Sequence, residues 1–300
     1  MVRQYKIHTN LDGTDDKIWD VTNGKVRFYQ PSNLGLQSTN NIWQSNGIGV
    51  MGTRSIKQPQ IEFKLETFGE SLEENYRLMK DFINDVLNQK FVTLEYQTEI
   101  FQVYSDLALA DVTKTEGYGK NGAFSEKITF DIITKWYTYE NLTFDMIQNG
   151  KVLSGKSKIY GGIAQGNYKY VKGTSYTYYG ESDIDRLSRW DIKDEIFSFM
   201  GILYPQLPKT PTGVRFLDDI GNEYTAIVFK TEELQDYILI NTDVNDETYQ
   251  GWNGTTSLNL FPVMDFERYR TRIIEKGQME LINLTKAEFK IKRKADFIWC

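Results

Sequence analysis

The stretches Ile61-Glu62-Phe63-Lys64-Leu65-Glu66 and Lys127-Ile128-Thr129-Phe130-Asp131-Ile132 alternate apolar and polar side chains. Successive side chains of a β-strand point to opposite faces, so this pattern describes a sheet with one face in a core and the other in water. Similar apolar runs recur at Phe91–Tyr96, Ile100–Tyr104, Val214–Leu217, Tyr224–Phe229 and Tyr237–Ile240. Turn signals such as Asp218-Asp219-Ile220-Gly221-Asn222 and the Gly-rich run Glu116–Gly122 separate them. The chain is therefore expected to be mainly β.

Two helices are expected against that background. Ser71 and Glu74 have capping-box spacing, and Leu72, Tyr76, Met79, Ile83, Val86 and Leu87 follow at helical intervals up to Asn88. A shorter packing helix is expected near Arg189–Phe199, where Trp190, Ile192, Ile196 and Phe197 alternate with charged residues.

Composition narrows the chemistry. The 300 residues include Tyr 19, Phe 17 and Trp 6 but one His and one Cys. That is ample material for packing and contact surfaces, with little for His- or Cys-based catalysis. His8 has no Cys or His near it and reads as a structural or surface residue. Cys300 forms no intrachain disulfide and has no metal-ligand spacing, which fits assembly in a reducing cytoplasm.

The formal charge of -6 argues against a general nucleic-acid binder, which needs a basic excess to neutralise phosphates. The cluster Lys290, Lys292, Arg293 and Lys294 reads as the solvated face of a late strand, since Ala287, Phe289 and Ile291 take the alternate positions. No apolar run reaches membrane-spanning length and no signal peptide is visible, so no membrane partner is expected. The Asn-x-Thr matches at Asn141, Asn253 and Asn283 read as chance.

Catalytic signatures fail on context. Gly47-Ile48-Gly49-Val50-Met51-Gly52 matches G-x-G-x-x-G, but it leads through Pro59 into a strand rather than opening a helix onto a pyrophosphate. It reads as a flexible loop. Asp183, Asp185, Asp191, Asp194, Glu195, Asp218 and Asp219 are the carboxylates that offer acid and nucleophile for glycoside hydrolysis, yet with 41 acidic residues such neighbours are expected on any solvated face. No catalytic residue, metal ligand or cofactor is assigned, and the sequence does not speak to a divalent cation acting on the assembly.

A break near Trp136-Tyr137-Thr138-Tyr139 separates a block at 1–135 from a second at 136–300. Early in the second block, Tyr160, Tyr168, Tyr170, Tyr176, Tyr178 and Tyr179 are interleaved with glycines, and Trp190 follows. Two readings stand for this segment: short hairpins whose tyrosines pack on the neighbouring domain, or an arm presenting amphipathic rings to a partner.

The opening Met1-Val2-Arg3-Gln4-Tyr5-Lys6-Ile7, the loop Asn40-Asn41-Ile42-Trp43-Gln44-Ser45-Asn46-Gly47, the strand Gln60–Leu65 with its helix, the junction Ile128–Tyr137 and the ending Lys292–Cys300 together resemble the distal tail proteins of siphophages that infect lactococci. The likeness extends over the whole chain without a short diagnostic motif. It implies a mainly β protein with an N-terminal β-sandwich, ring-forming domain carrying one packing helix (1–135). A C-terminal galectin-like β-sandwich (136–300) follows, with an inserted arm at about 145–199.

It further implies a structural protein without turnover, made in the host cytoplasm and placed at the distal end of the virion tail. There it would form a homohexameric ring contacting the tail tube protein, the tail tip protein and receptor-binding protein trimers. The tyrosines above and Trp190 would grip those trimers, and the polar stretch Pro31–Lys57 would form an intersubunit belt. The alternative of another class is a carbohydrate-binding module or glycan-cleaving tail enzyme, using Trp252 as a platform or the Asp183/Asp185 pair.

Overall fold

The computed structural model describes residues 3–13, 15–35, 37–57, 60–114, 123–145, 147–148, 151–152, 160–161, 169–170, 189–244, 246–271 and 273–295. Among these the chain is mainly strand with one α-helix. It divides into two compact units, Met1–Thr138 with Ala295–Cys300, and Tyr139–Lys294.

The first unit is built from β1 (Gln4–His8), β2 (Ile18–Asp20), β3 (Val26–Ser32), β4 (Gln37–Ser45), β5 (Ile48–Lys57), β6 (Ile61–Thr67), α1 (Leu72–Leu87), β7 (Val92–Gln97), β8 (Gln102–Thr113) and β9 (Ser125–Ile132). Its main sheet runs antiparallel in the order β2-β1-β7-β8-β9-β6-β3. Along β6 burial alternates residue by residue, so that Ile61, Phe63 and Leu65 enter the core while Glu62, Lys64 and Glu66 lie outside. β4 and β5 form a separate two-stranded sheet.

Helix α1 starts where the capping signal places it. Ser71 Oγ accepts from the Glu74 amide at 3.2 Å, satisfying an amide that the first turn leaves open, and Glu74 reaches back past the cap to accept from the Glu70 amide at 2.7 Å. Its buried face matches the expected one at Val86, with Met79 and Ile83 packed against the core, and departs from it elsewhere. Phe82, Val86 and Asn75 are buried, whereas Leu72, Tyr76 and Leu87 are exposed. Phe82 sets this orientation: its ring meets Trp19 at 5.3 Å and Phe28 at 5.8 Å, both edge-on. Trp19 in turn donates to Asp85 at 2.9 Å.

The strand β10 (Tyr137–Asp145) begins in the first unit, where Tyr137 pairs with Tyr104, and continues into the second. After it come short ladders, β11 (Ile147–Gln148) with β12 (Lys151–Val152) and β13 (Tyr160–Gly161) with β14 (Lys169–Tyr170). The remaining strands are β15 (Arg189–Ile192), β16 (Ile196–Pro205), β17 (Thr212–Leu217), β18 (Glu223–Phe229), β19 (Tyr237–Asn241), β20 (Thr248–Asn253), β21 (Thr256–Asn259), β22 (Gly277–Ile282) and β23 (Leu284–Lys294).

In the second unit one sheet runs β10-β23-β16-β19-β20-β21 and another β15-β22-β17-β18. Both contribute inward side chains to one core, where Phe199 meets Phe216 at 5.9 Å and Phe229 meets Tyr249 at 5.8 Å. This is a β-sandwich. Gly201 sits opposite Phe289, and a Cβ there would lie 2.9 Å from the Phe289 ring, so that position must lack a side chain for the ring to pack.

The helix expected near Arg189–Phe199 is replaced by β15 and the start of β16. Ile192 pairs with Gly277 and Phe199 with Ile291 as sheet neighbours. Over so short a window the spacing of Trp190, Ile192, Ile196 and Phe197 does not separate the two periods, and burial of Ile192, Ile196 and Phe199 in the core of the second unit decides for strand. The loop expected over Gly47–Gly52 is strand β5, closed by the two-residue turn Asn46-Gly47 with φ of 50° and 80°. Positive φ at both positions matches the twist of a tight hairpin, and Asn-Gly is its strongest sequence signal.

Truncating Phe82→Ala is expected to cost about 3–5 kcal/mol of stability, because the ring is fully buried between two other aromatics. Equilibrium denaturation with urea checks it. A cost below about 1 kcal/mol would show that the helix does not anchor the core.

Candidate functional site

The aromatic residues singled out in the sequence fall only in part among the described residues. Tyr160 and Tyr170 lie opposite each other across β13 and β14. Trp190 pairs with Met279 on β22 and is half-buried against the core of the second unit, which gives its ring a packing role. Tyr168, Tyr176, Tyr178 and Tyr179 lie outside the described residues. Trp252 faces Tyr237 across β19 and β20, their rings stacked at 6.0 Å and 14°. It therefore packs on its own sheet, with its indole N–H buried and without a hydrogen-bond partner.

The carboxylates do structural work. Asp218 accepts backbone N–H bonds from Asn222 and Ile220 at 2.8 and 3.0 Å, and these bonds, Asn222 first, hold its carboxyl below the usual range. Glu195 pairs with Lys294 at 2.9 Å, and Asp191 accepts from Gln278 at 3.1 Å. Asp183 and Asp185 lie outside the described residues, as does Cys300. Among the described residues no cluster of three or more His, Cys, Asp or Glu side chains could hold a metal ion.

The basic cluster on β23 departs from a simple wet face. Lys292 is buried and pairs with Asp243 at 2.8 Å, and Arg293 pairs with Glu140 at 3.2 Å. A bulge in β16 between Ile196 and Ser198 shifts the register opposite Lys292 and breaks the alternation there. Asn283, one of the Asn-x-Thr positions, is fully buried and donates to Leu207 O at 2.8 Å and Thr212 Oγ1 at 2.6 Å. His8 is buried as well, and both its ring nitrogens face carboxylates.

The described surface carries exposed apolar side chains on the β4–β5 hairpin. On the hairpin, Trp43 lies opposite Val50 and Ser45 opposite Ile48, which puts Trp43, Val50 and Ile48 on one face. They are 69%, 63% and 70% exposed. Ile42, opposite Met51, is exposed on the other face, and Arg54 bonds Asn40 at 2.9 Å near the base. A lone two-stranded hairpin is marginal in water, and large apolar side chains on it gain nothing until covered. In the second unit a groove of about 540 Å³ lies over the larger sheet, lined by Met200, Ile202, Leu239, Asn241 and Glu288.

The apolar face of the hairpin escaped the sequence reading because the flanking Asn, Gln and Ser residues read as a polar loop. The Asn46-Gly47 turn was the signal that could have found it.

The model of the family described as "Distal tail protein, N-terminal domain" matches residues 4–133, and "Dit, C-terminal domain" matches residues 135–298. The distal tail protein of Lactococcus phage p2 is 92% identical over 298 residues, covering 99% of this chain and 100% of that protein. That of Lactococcus phage SK1 is 89% identical over 298 residues, with coverage of 99% and 100%. Among solved structures, a chain of the phage p2 baseplate in its activated conformation with Ca matches at a TM-score of 0.78 and 92% identity, covering 99% of this chain and 100% of that one. The crystal structure of SPP1 Dit matches at a TM-score of 0.53 and 10% identity over 98% of this chain and 100% of that one, a likeness of fold alone.

Replacing Trp43→Ser or Ile48→Ser is expected to change the unfolding free energy of the isolated subunit by less than about 0.5 kcal/mol, as for other uncovered surface positions. Denaturation at a dilution that keeps subunits apart checks this. A loss above about 2 kcal/mol would show that the hairpin is buried within its own chain.

Proposed function

The chain belongs to the distal tail protein family, and from that premise we propose that it is a structural component of a phage tail baseplate that works through contact surfaces rather than turnover. Six copies close into a ring at the distal end of the virion tail. The ring joins tail tube to tail tip, and an arm emerging from the second unit anchors receptor-binding protein trimers for host adsorption.

The observation that carries this reading is the β4–β5 hairpin. It projects three apolar side chains that nothing in its own unit covers, and a second copy supplies a cover without any new sequence. A ring of identical subunits needs a head-to-tail contact, in which one patch meets a different patch on the neighbour and the rotation closes. A protruding hairpin reaching onto the next subunit meets that need. The near identity with the distal tail protein of Lactococcus phage p2, whose baseplate has been solved, supports the placement at the tail tip.

The arm is assigned to the Tyr- and Gly-rich residues before β15. Ile192, Ile196 and Phe199 belong to the core of the second unit, so a deletion meant to remove only the arm spans residues 149–188 and is closed by a short Gly-Ser linker.

Size-exclusion chromatography with light scattering tests the ring. The expected mass is six times the 35.0 kDa of one chain, alone or on addition of tail partners. A double substitution Trp43→Ser with Val50→Ser is expected to shift the population toward monomer. A subunit that stays monomeric at high concentration with its partners present contradicts the hub. For the arm, the 149–188 deletion is expected to preserve ring assembly and abolish capture of receptor-binding protein in a pull-down. Capture that survives the deletion removes the arm from the account.

A further inference from the structure

The single histidine of the chain lies on a strip of polar side chains that the first unit buries away from its apolar core. His8 and Lys6 on β1, Thr93 and Glu95 on β7, and Tyr104 and Asp106 on β8 share that face by register. His8 is 5% exposed and Glu95 4%. His8 Nε2 lies 2.8 Å from Glu95 Oε2, and His8 Nδ1 lies 2.6 Å from Asp16 Oδ2. Glu95 lies on the neighbouring strand β7, whereas Asp16 belongs to the connection between β1 and β2. His8 therefore joins the sheet to the segment that turns back over it.

An ionised carboxylate only accepts hydrogen bonds, so the two contacts are both bonds only when both ring nitrogens carry protons. A neutral imidazole has one N–H, and its other nitrogen would present a lone pair to a carboxylate oxygen at hydrogen-bond distance. Asp16 is also the organiser of its own segment, accepting from the Asn10 amide at 3.0 Å through its other oxygen. The base of the connection is closed by Thr9 N–H to Lys17 O at 3.1 Å and Lys17 N–H to Thr9 Oγ1 at 2.9 Å.

We propose that His8 is a proton-operated clasp: as imidazolium it pins the Asn10–Lys17 connection onto the sheet through Asp16, and on losing its proton it releases that connection.

The other charged groups facing the site set the direction of the effect. Lys6 Nζ pairs with Glu95 Oε1 at 2.8 Å, so Lys6 and protonated His8 balance Glu95 and Asp16. Asp12, from the same connection, lies near Tyr104 and adds a further negative charge, while burial first and then the charges of Glu95 and Asp12 push the Tyr104 phenol up to about 12 and keep it neutral. Asp20, opposite Lys6, caps the Thr22 and Asn23 amides at 3.0 and 2.8 Å, and Lys17 pairs with Asp85 at 2.5 Å. Asp106 is engaged by the Thr93 and Tyr137 hydroxyls at 2.7 and 2.8 Å. Among the described residues, loss of the His8 proton thus leaves Lys6 as the cation that pairs with Glu95.

Burial works to lower the His8 pKa, but the bonds to Glu95 and Asp16 outweigh it and raise it above 6.5. The His8 bond chiefly, opposed by burial and aided by Lys6, holds Glu95 down at about 2. A raised histidine stabilises fully below 6.5 and loses that contribution as pH rises through its folded value; a depressed carboxyl stabilises above 4.5 and loses it as pH falls toward 2. The clasp is closed between those limits and opens on the alkaline side.

The test needs no resonance assignment, because the chain has one histidine. Isotope-labelled histidine in the full-length protein gives the His8 titration by NMR, and hydrogen-exchange mass spectrometry of the peptide covering Thr9–Lys17 gives its protection, corrected for the intrinsic pH dependence of exchange. The expected result is a midpoint above 6.5 with a fall in protection of about tenfold on the same midpoint, the factor expected for loss of a charge-assisted hydrogen bond. Asp16→Asn is expected to lower the His8 midpoint and to leave the peptide weakly protected at every pH. A midpoint at or below 6.5, or a protection that does not change across the His8 titration, overturns the proposal. The wild-type titration decides alone if the variant fails to fold.

Discussion

Phe28 stands at the centre of the first unit, meeting Phe63 at 4.7 Å, Phe82 at 5.8 Å and Phe130 at 6.1 Å. Those contacts join three strands and the helix, and they exist only because each strand turns one face inward. The same constraint acts in the second unit, where Phe199 and Phe289 from adjacent strands of one sheet meet the facing sheet through Phe216. Once two cores are filled in this way, the outward residues are free to be polar, ionised or, where they remain apolar, a surface for something else.

The residues that follow this alternation were legible. Ile61, Phe63 and Leu65 are buried as their spacing requires, and the Ser71–Glu74 signal starts the helix where it stands. What the spacing missed has physical causes. The apolar positions of α1 were read from sequence interval alone, while the buried stripe is set by where Phe82 finds Trp19 and Phe28, residues far away along the chain. Arg189–Phe199 is too short for periodicity to separate helix from strand, and only pairing with β22 and β23 settles it. His8 looked isolated because one of its partners, Glu95, lies 87 residues further on.

The functional surfaces were legible to differing degrees. Whole-chain likeness named the family, whereas local pattern gave little of the machinery. Trp190 and Trp252 stood out as aromatics, yet both pack within the second unit. The hairpin carries the most exposed apolar face described, and its Asn46-Gly47 turn was passed over because the surrounding residues are polar. Polar flanks are what a protruding contact element needs before it finds its partner, since they keep it soluble while its apolar face waits. Several carboxylates of this acidic chain act in the opposite sense, Asp218 holding a turn and Glu195 pairing with Lys294 inside the second unit.

The hairpin face is proposed as the joint through which copies of this chain complete one another, and single-particle electron microscopy of the purified protein mixed with its tail partners is the decisive measurement. The expected image is a closed six-fold annulus in which Trp43, Val50 and Ile48 of each subunit are seated against the next subunit. Isolated subunits only, or an annulus whose hairpins extend free into solvent, would contradict it.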